Sequence, residues 1–217
     1  FPPTIYRYDI ASGKSTVFRK PEVKFNPEEY VTEQVFYPGK DGAKVPMFIV
    51  YKKGTQKNGK NPTILYGYGG FNISSNPSFS STRIAWLEQG GIFCIANLKG
   101  GSEYGETWHE AGMRLKKQTV FDDFIAAAEH LVKRGYTSPS RLAIQGGSNG
   151  GLLMGALLTQ RPDLVRAVVS QVGIYDMLRV ELDPNGQFNV TEFGTVKDPE
   201  QFKALHAYSP LHHVRDG

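Results

Sequence analysis

Arg141-Leu142-Ala143-Ile144-Gln145-Gly146-Gly147-Ser148-Asn149-Gly150-Gly151 is the stretch that decides how this chain folds. Its first half is a short apolar run of the kind buried on both faces of a parallel sheet. The residues from Asn149 to about Thr159 read as a helix that Pro162 stops. Between strand and helix lies G-x-S-x-G, with no loop to spare. A serine on so sharp a turn projects its hydroxyl out of the sheet. The positions two residues to either side must then lack side chains for the turn to close, and Gly146 and Gly150 satisfy this. The helix behind the serine directs free N–H groups and its dipole at the same point, so the Asn149 N–H is a natural donor to an oxyanion. The alternatives are a tight turn without chemistry and a phosphate cradle. Neither G-x-x-x-x-G-K-[ST] nor G-x-G-x-x-G occurs in the chain, so the phosphate reading has no motif behind it.

Working outward, Thr63-Ile64-Leu65-Tyr66, Ile92-Phe93-Cys94-Ile95-Ala96 and Ala167-Val168-Val169-Ser170-Gln171-Val172 are further short apolar runs that read as buried parallel strands. Phe121, Phe124, Ile125, Ala128, Leu131 and Val132 fall on one face of a helix that Gly135 ends. Thr119 with Asp122 reads as a capping box for that helix, and Asp122 and Asp123 suit the positive end of its dipole. Strand, helix, strand, helix, strand is an α/β, doubly wound, mostly parallel architecture. Before it come two strands, Val31–Tyr37 and Val45–Tyr51, across the turn at Gly39-Lys40-Asp41-Gly42. Residues 5–18 alternate around Ala11-Ser12-Gly13-Lys14 as a β-hairpin, and the polar stretch from Lys20 to Glu29 reads as a linker. The expected division is 1–22 and 23–217.

The Gly-rich loop Tyr66-Gly67-Tyr68-Gly69-Gly70-Phe71 directly follows the strand at 63–65. Sheets with a serine elbow take their second oxyanion donor from this place, and a tyrosine hydroxyl can serve as well as an amide. Tyr68 is the candidate, with a packed loop aromatic as the alternative reading.

The chain has 217 residues, 40% hydrophobic and 21% charged, which is the composition of an ordinary folded protein and excludes disordered and fibrous classes. A net charge of +4 comes from scattered basic residues, so nucleic acid is not an expected partner. The single cysteine, Cys94, sits in an apolar run and permits neither an internal disulfide nor a thiolate zinc cluster. No apolar stretch reaches the length of a membrane span, no signal-peptide layout is present at Phe1-Pro2-Pro3-Thr4, and a cytoplasmic location is expected.

Seven blocks, taken together, resemble the prolyl oligopeptidase family of serine peptidases, whose α/β-hydrolase domain is capped by a β-propeller. They are Tyr66–Phe71, Gly100–His109, Lys117-Gln118 with Phe121–Phe124, Gly135–Pro139, the serine elbow, Gln160–Leu164 and Tyr208–His212. The resemblance implies an α/β-hydrolase fold, here with an incomplete sheet, preceded by the last hairpin of a propeller blade. It implies Ser148 as nucleophile, the Tyr68 hydroxyl and Asn149 N–H as the oxyanion hole, and Phe71 in the substrate pocket. It implies no metal and no organic cofactor. The expected substrate is a short peptide cleaved after proline.

Three departures qualify this. In the family the acid and base lie on loops after later strands, so the chain is expected to be a section of a longer enzyme. Its expected partner is the remaining C-terminal part of that enzyme or a complementing chain, without which it would be poorly soluble. His206, His212 and His213 read as surface or packing residues, Asp176 and Asp183 as unsuited to be the acid, and His109 with Glu103 as no metal pair. Asn189 falls where the family carries a proline-stacking Trp, leaving Phe188 or Phe193 to offer the ring face. Lys99 and Ser102 stand where the family has Arg and Gly. The alternatives are an oligopeptidase of non-prolyl specificity and a catalytically inactive hydrolase-like or binding module.

Overall fold

The computed structural model describes residues 2–216. Two strands, β1 (Ile5–Asp9) and β2 (Lys14–Arg19), pair antiparallel as the expected hairpin, turning through Gly13 at φ +66. Both are exposed along their whole length. Phe1 and Gly217, the outer limits of the expected division, lie outside the described residues.

The remaining six strands among the described residues form one sheet. They are β3 (Tyr30–Pro38), β4 (Lys44–Lys52), β5 (Thr63–Tyr66), β6 (Ile92–Ala96), β7 (Leu142–Gly147) and β8 (Ala167–Gln171). Their spatial order is β3-β4-β6-β5-β7-β8. The β3–β4 and β4–β6 pairs are antiparallel, while β6–β5, β5–β7 and β7–β8 are parallel. The sheet is therefore mixed at one side and parallel where the serine strand runs. Among the described residues β8 pairs on one edge only.

Among the described residues six α-helices complete the fold: α1 (Ser81–Glu88), α2 (Glu106–Glu110), α3 (Gln118–Lys133), α4 (Asn149–Gln160), α5 (Val190–Phe193) and α6 (Pro199–Tyr208). Strand alternation sorts the core into two clusters. Ile92, Cys94 and Ala96 join Leu65, Ile144 and the buried faces of α3 and α4, whereas Phe93 and Ile95 point the other way, toward Leu87 of α1. Helices thus cover both faces, which is why the central strands read as unbroken apolar runs. Each fully buried Leu or Phe in these clusters contributes roughly 1.5–3 kcal/mol.

The start of α3 corrects the capping-box reading. The helix begins at Gln118, preceded by the 3-10 turn Arg114–Lys116, and its N-cap is Lys117, without a side-chain cap bond. Thr119 is already inside the first turn. Asp122 and Asp123 fall in the second turn, too far along to meet the dipole. Asp122 instead accepts from Gln118 Nε2 at 3.1 Å and pairs with Lys40 at 3.3 Å. Asp123 is buried against Lys99. The other end is as expected: Gly135 has φ +75, with Tyr136 N donating to Leu131 O and Gly135 N to Val132 O, both at 3.0 Å.

Candidate active site

Ser148 joins β7 to α4 with φ +57 and ψ −118, a conformation that costs a serine on the order of 1–3 kcal/mol. The surroundings over-determine it. Its N–H donates to Gln171 O on β8 at 2.9 Å, and its carbonyl accepts from Gly151 N at 2.9 Å and Leu152 N at 3.1 Å. A Cβ on Gly146 would lie 2.4 Å from Gly150 O and 2.9 Å from Gly67 O, and one on Gly150 would lie 2.6 Å from Gly67 O. The elbow glycines are thus required by the neighbouring loop, Gly67–Gly70, as much as by the turn. Helix α4 is buried from Asn149 through Leu157, which anchors the elbow from behind. The Asn149 N–H has no acceptor among the described residues, as its place in the first turn dictates.

The loop after β5 lies across the elbow. Gly67 N donates to Gln145 O at 3.1 Å, and the Asn149 side chain, itself buried, donates through Nδ2 to Tyr68 O at 2.6 Å. Gly69, at φ +64, brings the chain against Leu98 and Val120. Burial, and after it the negative charge of Glu192, raises the pKa of Tyr68, while contact with the Ser148 side chain opposes the shift. The phenol is held protonated beside the serine, the state an oxyanion donor must have.

The structure separates the three aromatic candidates. Phe71, at φ +54, meets Phe193 edge-on with ring centroids 5.6 Å apart. Phe193 is 1% exposed and backs Phe71 from within the core. Phe188 is 80% exposed and does not enter that contact. Asn189 ends the 3-10 turn Gly186–Asn189 and is half-buried.

One group of residues escaped sequence reading. Lys117 and Glu192 form a buried ion pair at 3.0 Å, and Lys117 also donates to Gly69 O at 3.1 Å. Glu192 Oε2 lies 2.8 Å from His109 Nε2, and His109 Nδ1 lies 3.0 Å from Glu106 Oε1. These contacts span up to 83 positions, and no periodicity or motif announces them. Glu103 forms no pair with His109 and accepts from Ser75 N at 2.9 Å and Asn97 Nδ2 at 3.1 Å. The described residues hold no group of three or more metal-ligating side chains.

The other titratable candidates are engaged locally. His212 Nδ1 is 2.8 Å from Ser209 Oγ, and His213 Nε2 donates to His206 O at 2.8 Å. Asp176 accepts from Leu178 N and Arg179, and Asp183 from Asn185 N. Among the described residues no hydrogen bond joins a histidine to the Ser148 hydroxyl. Lys99 pairs with Asp123 and Asp41, each at 3.1 Å, and Ser102 bonds Ser74 at 2.7 Å.

Comparison with known proteins adds a separate line. Residues 77–216 match the sequence profile of the prolyl oligopeptidase family. The chain is 54% identical over 217 residues to a prolyl endopeptidase of Elizabethkingia meningoseptica, covering 100% of this chain and 31% of that protein. It is 49% identical to a prolyl endopeptidase of Dictyostelium discoideum, covering 98% of this chain and 29% of that protein. It superposes on the solved structure of a post-proline cleaving enzyme from Rickettsia typhi with TM-score 0.95 and 42% identity, covering 99% of this chain and 31% of that one. The chain spans about a third of the length of the curated relatives it matches.

Proposed function

Because the chain belongs to the prolyl oligopeptidase family, we propose that it carries the nucleophile and oxyanion hole of a serine endopeptidase that cleaves short peptides after proline. Ser148 Oγ attacks the scissile carbonyl carbon as a base takes its proton. The carbonyl oxygen becomes an oxyanion that accepts from the Tyr68 hydroxyl and the Asn149 N–H, each donor worth on the order of 10²–10³ in rate. Collapse expels the amine, which leaves with the proton from the base, and water hydrolyses the ester on Ser148 in the reverse sense. No metal or organic cofactor enters these steps.

The observation that carries this reading is the mutual packing of elbow and loop. Gly146 and Gly150 of the elbow touch Gly67, and the Asn149 side chain holds the Tyr68 carbonyl at 2.6 Å. A glycine-rich turn without chemistry has no need of a serine at φ +57 under a protonated tyrosine. The reading requires a base and an acid beside Ser148. It takes them from residues beyond the aligned third of the relatives' length, in the same protein or in a complementing chain. In this reading residues 1–22 form the last strands of a propeller blade, and Phe71, backed by Phe193, offers an edge of the proline pocket. No described helix is long and apolar enough to cross a membrane. The buried, unpaired thiol of Cys94 suits a reducing compartment, and we place the enzyme in the cytoplasm.

The test is fluorophosphonate labelling of the protein at its natural length, followed by peptide mapping and hydrolysis of matched peptides with proline or alanine before the scissile bond. One adduct on Ser148, lost in Ser148→Ala, with preference for proline, is expected. Labelling without that preference would keep the serine hydrolase and remove the proline specificity, pointing to Asn189. No adduct would leave a hydrolase-like module without catalysis.

A further inference from the structure

Lys117 is 1% exposed and Glu192 2% exposed, and a buried ion pair is a poor device for stability, since apolar residues of similar volume usually do as well or better. What this pair touches is informative. The Lys117 ammonium divides its bonds between Glu192 Oε1 at 3.0 Å and Gly69 O at 3.1 Å. The preceding carbonyl, Tyr68 O, is held by Asn149 Nδ2 at 2.6 Å. Two consecutive peptide units, 68–69 and 69–70, are thereby pinned by Lys117 at the N-cap of α3 and by Asn149 of α4. The first of them flanks Tyr68 and the second fixes Gly69 next to it, so together they hold the backbone from which the Tyr68 side chain projects. The space is tight: a Cβ on Gly70 would lie 2.5 Å from Asn149 Nδ2 and 2.9 Å from Glu192 Oε1. Both ring nitrogens of His109 face carboxylates, Glu192 at 2.8 Å and Glu106 at 3.0 Å, an arrangement that only the doubly protonated ring satisfies. The cluster therefore sets a second positive charge against Glu192.

We propose that Lys117 is a positioning residue of the oxyanion hole: by holding the Gly69 carbonyl it aims the Tyr68 hydroxyl at the developing oxyanion, while Glu192, held in turn by His109, keeps Lys117 in place. The proposal rests on the reading of Tyr68 as the oxyanion donor. It makes Lys117 act through Tyr68 and only in the transition state, so kcat depends on it and KM does not.

The test is a mutant cycle in the protein at its natural length. Lys117→Met alone would strand a buried carboxylate, so the variant of choice is Lys117→Met with Glu192→Gln, which removes both charges and keeps the volumes. Folding is checked by circular dichroism and thermal denaturation. The expected result is a fall in kcat of about 10–100-fold with KM within about two-fold. Tyr68→Phe should cost on the order of 10²–10³ in the parent but less than about tenfold in the double variant, because the hydroxyl is already misaimed there. A full Tyr68→Phe effect in both backgrounds, or an unchanged kcat in the folded double variant, overturns the proposal. Should the double variant fail to fold, Lys117→Arg keeps the buried charge but displaces its donor, and the same cycle is read in that background. Failure of the peptidase reading looks different: Ser148 then takes no fluorophosphonate in the parent protein.

Discussion

Substituting alanine in turn at Gly146, Gly147 and Gly150 separates the elbow's need for small residues from a general need for flexibility. At Gly147 a Cβ would sit 3.5 Å from Gln171 O and 3.7 Å from Gln171 Cβ, ordinary contact, and φ there is not positive. Lost freedom in the unfolded chain then acts alone, and Gly147→Ala should be neutral or stabilising by up to about 1 kcal/mol. At Gly150 the same methyl would sit 2.6 Å from Gly67 O and 3.5 Å from Tyr68 Cα. Helix propensity would favour alanine by about 1 kcal/mol, but overpacking against backbone costs typically 1–3 kcal/mol, and Gly67 directly follows β5 with its N–H bonded to Gln145 O on β7, so its carbonyl has little room to yield. Gly146→Ala meets two carbonyl oxygens, at 2.4 and 2.9 Å, and should be worse. Urea denaturation at constant m gives the stabilities, and the second-order rate of fluorophosphonate labelling gives Ser148 reactivity. The expected order of loss in both is Gly146→Ala, then Gly150→Ala, with Gly147→Ala near the parent. Equal losses at Gly147 and Gly150, or a Gly150→Ala variant unchanged in both assays, would refute the argument that elbow and Tyr68 loop share one packed interface.

Asp123→Asn removes the carboxylate charge that faces Lys99 while keeping the side chain's shape and an oxygen to accept from the Lys99 ammonium, and its effect is read in urea denaturation as a function of pH. Burial pushes the Asp123 pKa up to about 6 against the pull of Lys99, so from pH 3.8 to about 6 the folded state keeps a proton that the unfolded state has lost. Its contribution to stability therefore falls as pH rises through that window, and the variant's profile should lack this fall; parallel profiles would contradict the assignment. Burial opposes the charge on His109, but bonds to Glu192 and Glu106 prevail and hold its pKa above 6.5. Stability from His109 is then complete below pH 6.5 and lost as pH rises through the folded value, and His109→Gln should flatten the stability profile above pH 6.5. Cys94 is buried with its thiol pKa pushed up by burial, so it should resist iodoacetamide in the folded protein and react one-to-one after denaturation; labelling of the folded protein would contradict its place in the core.

How far the site was legible depends on how local its causes are. The serine elbow could be read because strand, turn glycines and helix are contiguous, and the Tyr68 loop because it follows its strand directly. The hairpin and the four parallel strands likewise carry their patterns in contiguous stretches of chain. Helix α1 stayed unread because its apolar residues face a small cluster around Leu87, and its sequence has no long periodic stripe. Phe188 and Phe193 are equivalent on paper. One is exposed and the other buried only because α5 turns Phe193 inward onto Phe71 and Lys117.

The misread start of α3 is the most informative failure. Local rules assign Asp122 and Asp123 to a helix dipole and treat Lys117 as a surface cation, and a sequence obeying only those rules would have used them so. Instead two of the three are buried: Asp123 on Lys99, 24 positions away, and Lys117 on Glu192, 75 positions away. Both pairings pull charged side chains inward, Asp123 with Lys99 against the turn at Gly39 and Asp41, and Lys117 with Glu192 against the loop that presents Tyr68, where an apolar pair would have packed at lower electrostatic cost. A helix start that buries its charges in distant pairs and has no side-chain cap exchanges local stability for long-range constraint. The constraint from Lys117 falls on Gly69, the residue next to Tyr68, the proposed oxyanion donor. Departures from local consistency concentrate where a site demands a geometry that the backbone alone would not hold. By that criterion Lys117 at the start of α3 belongs to the proposed site as much as the elbow does.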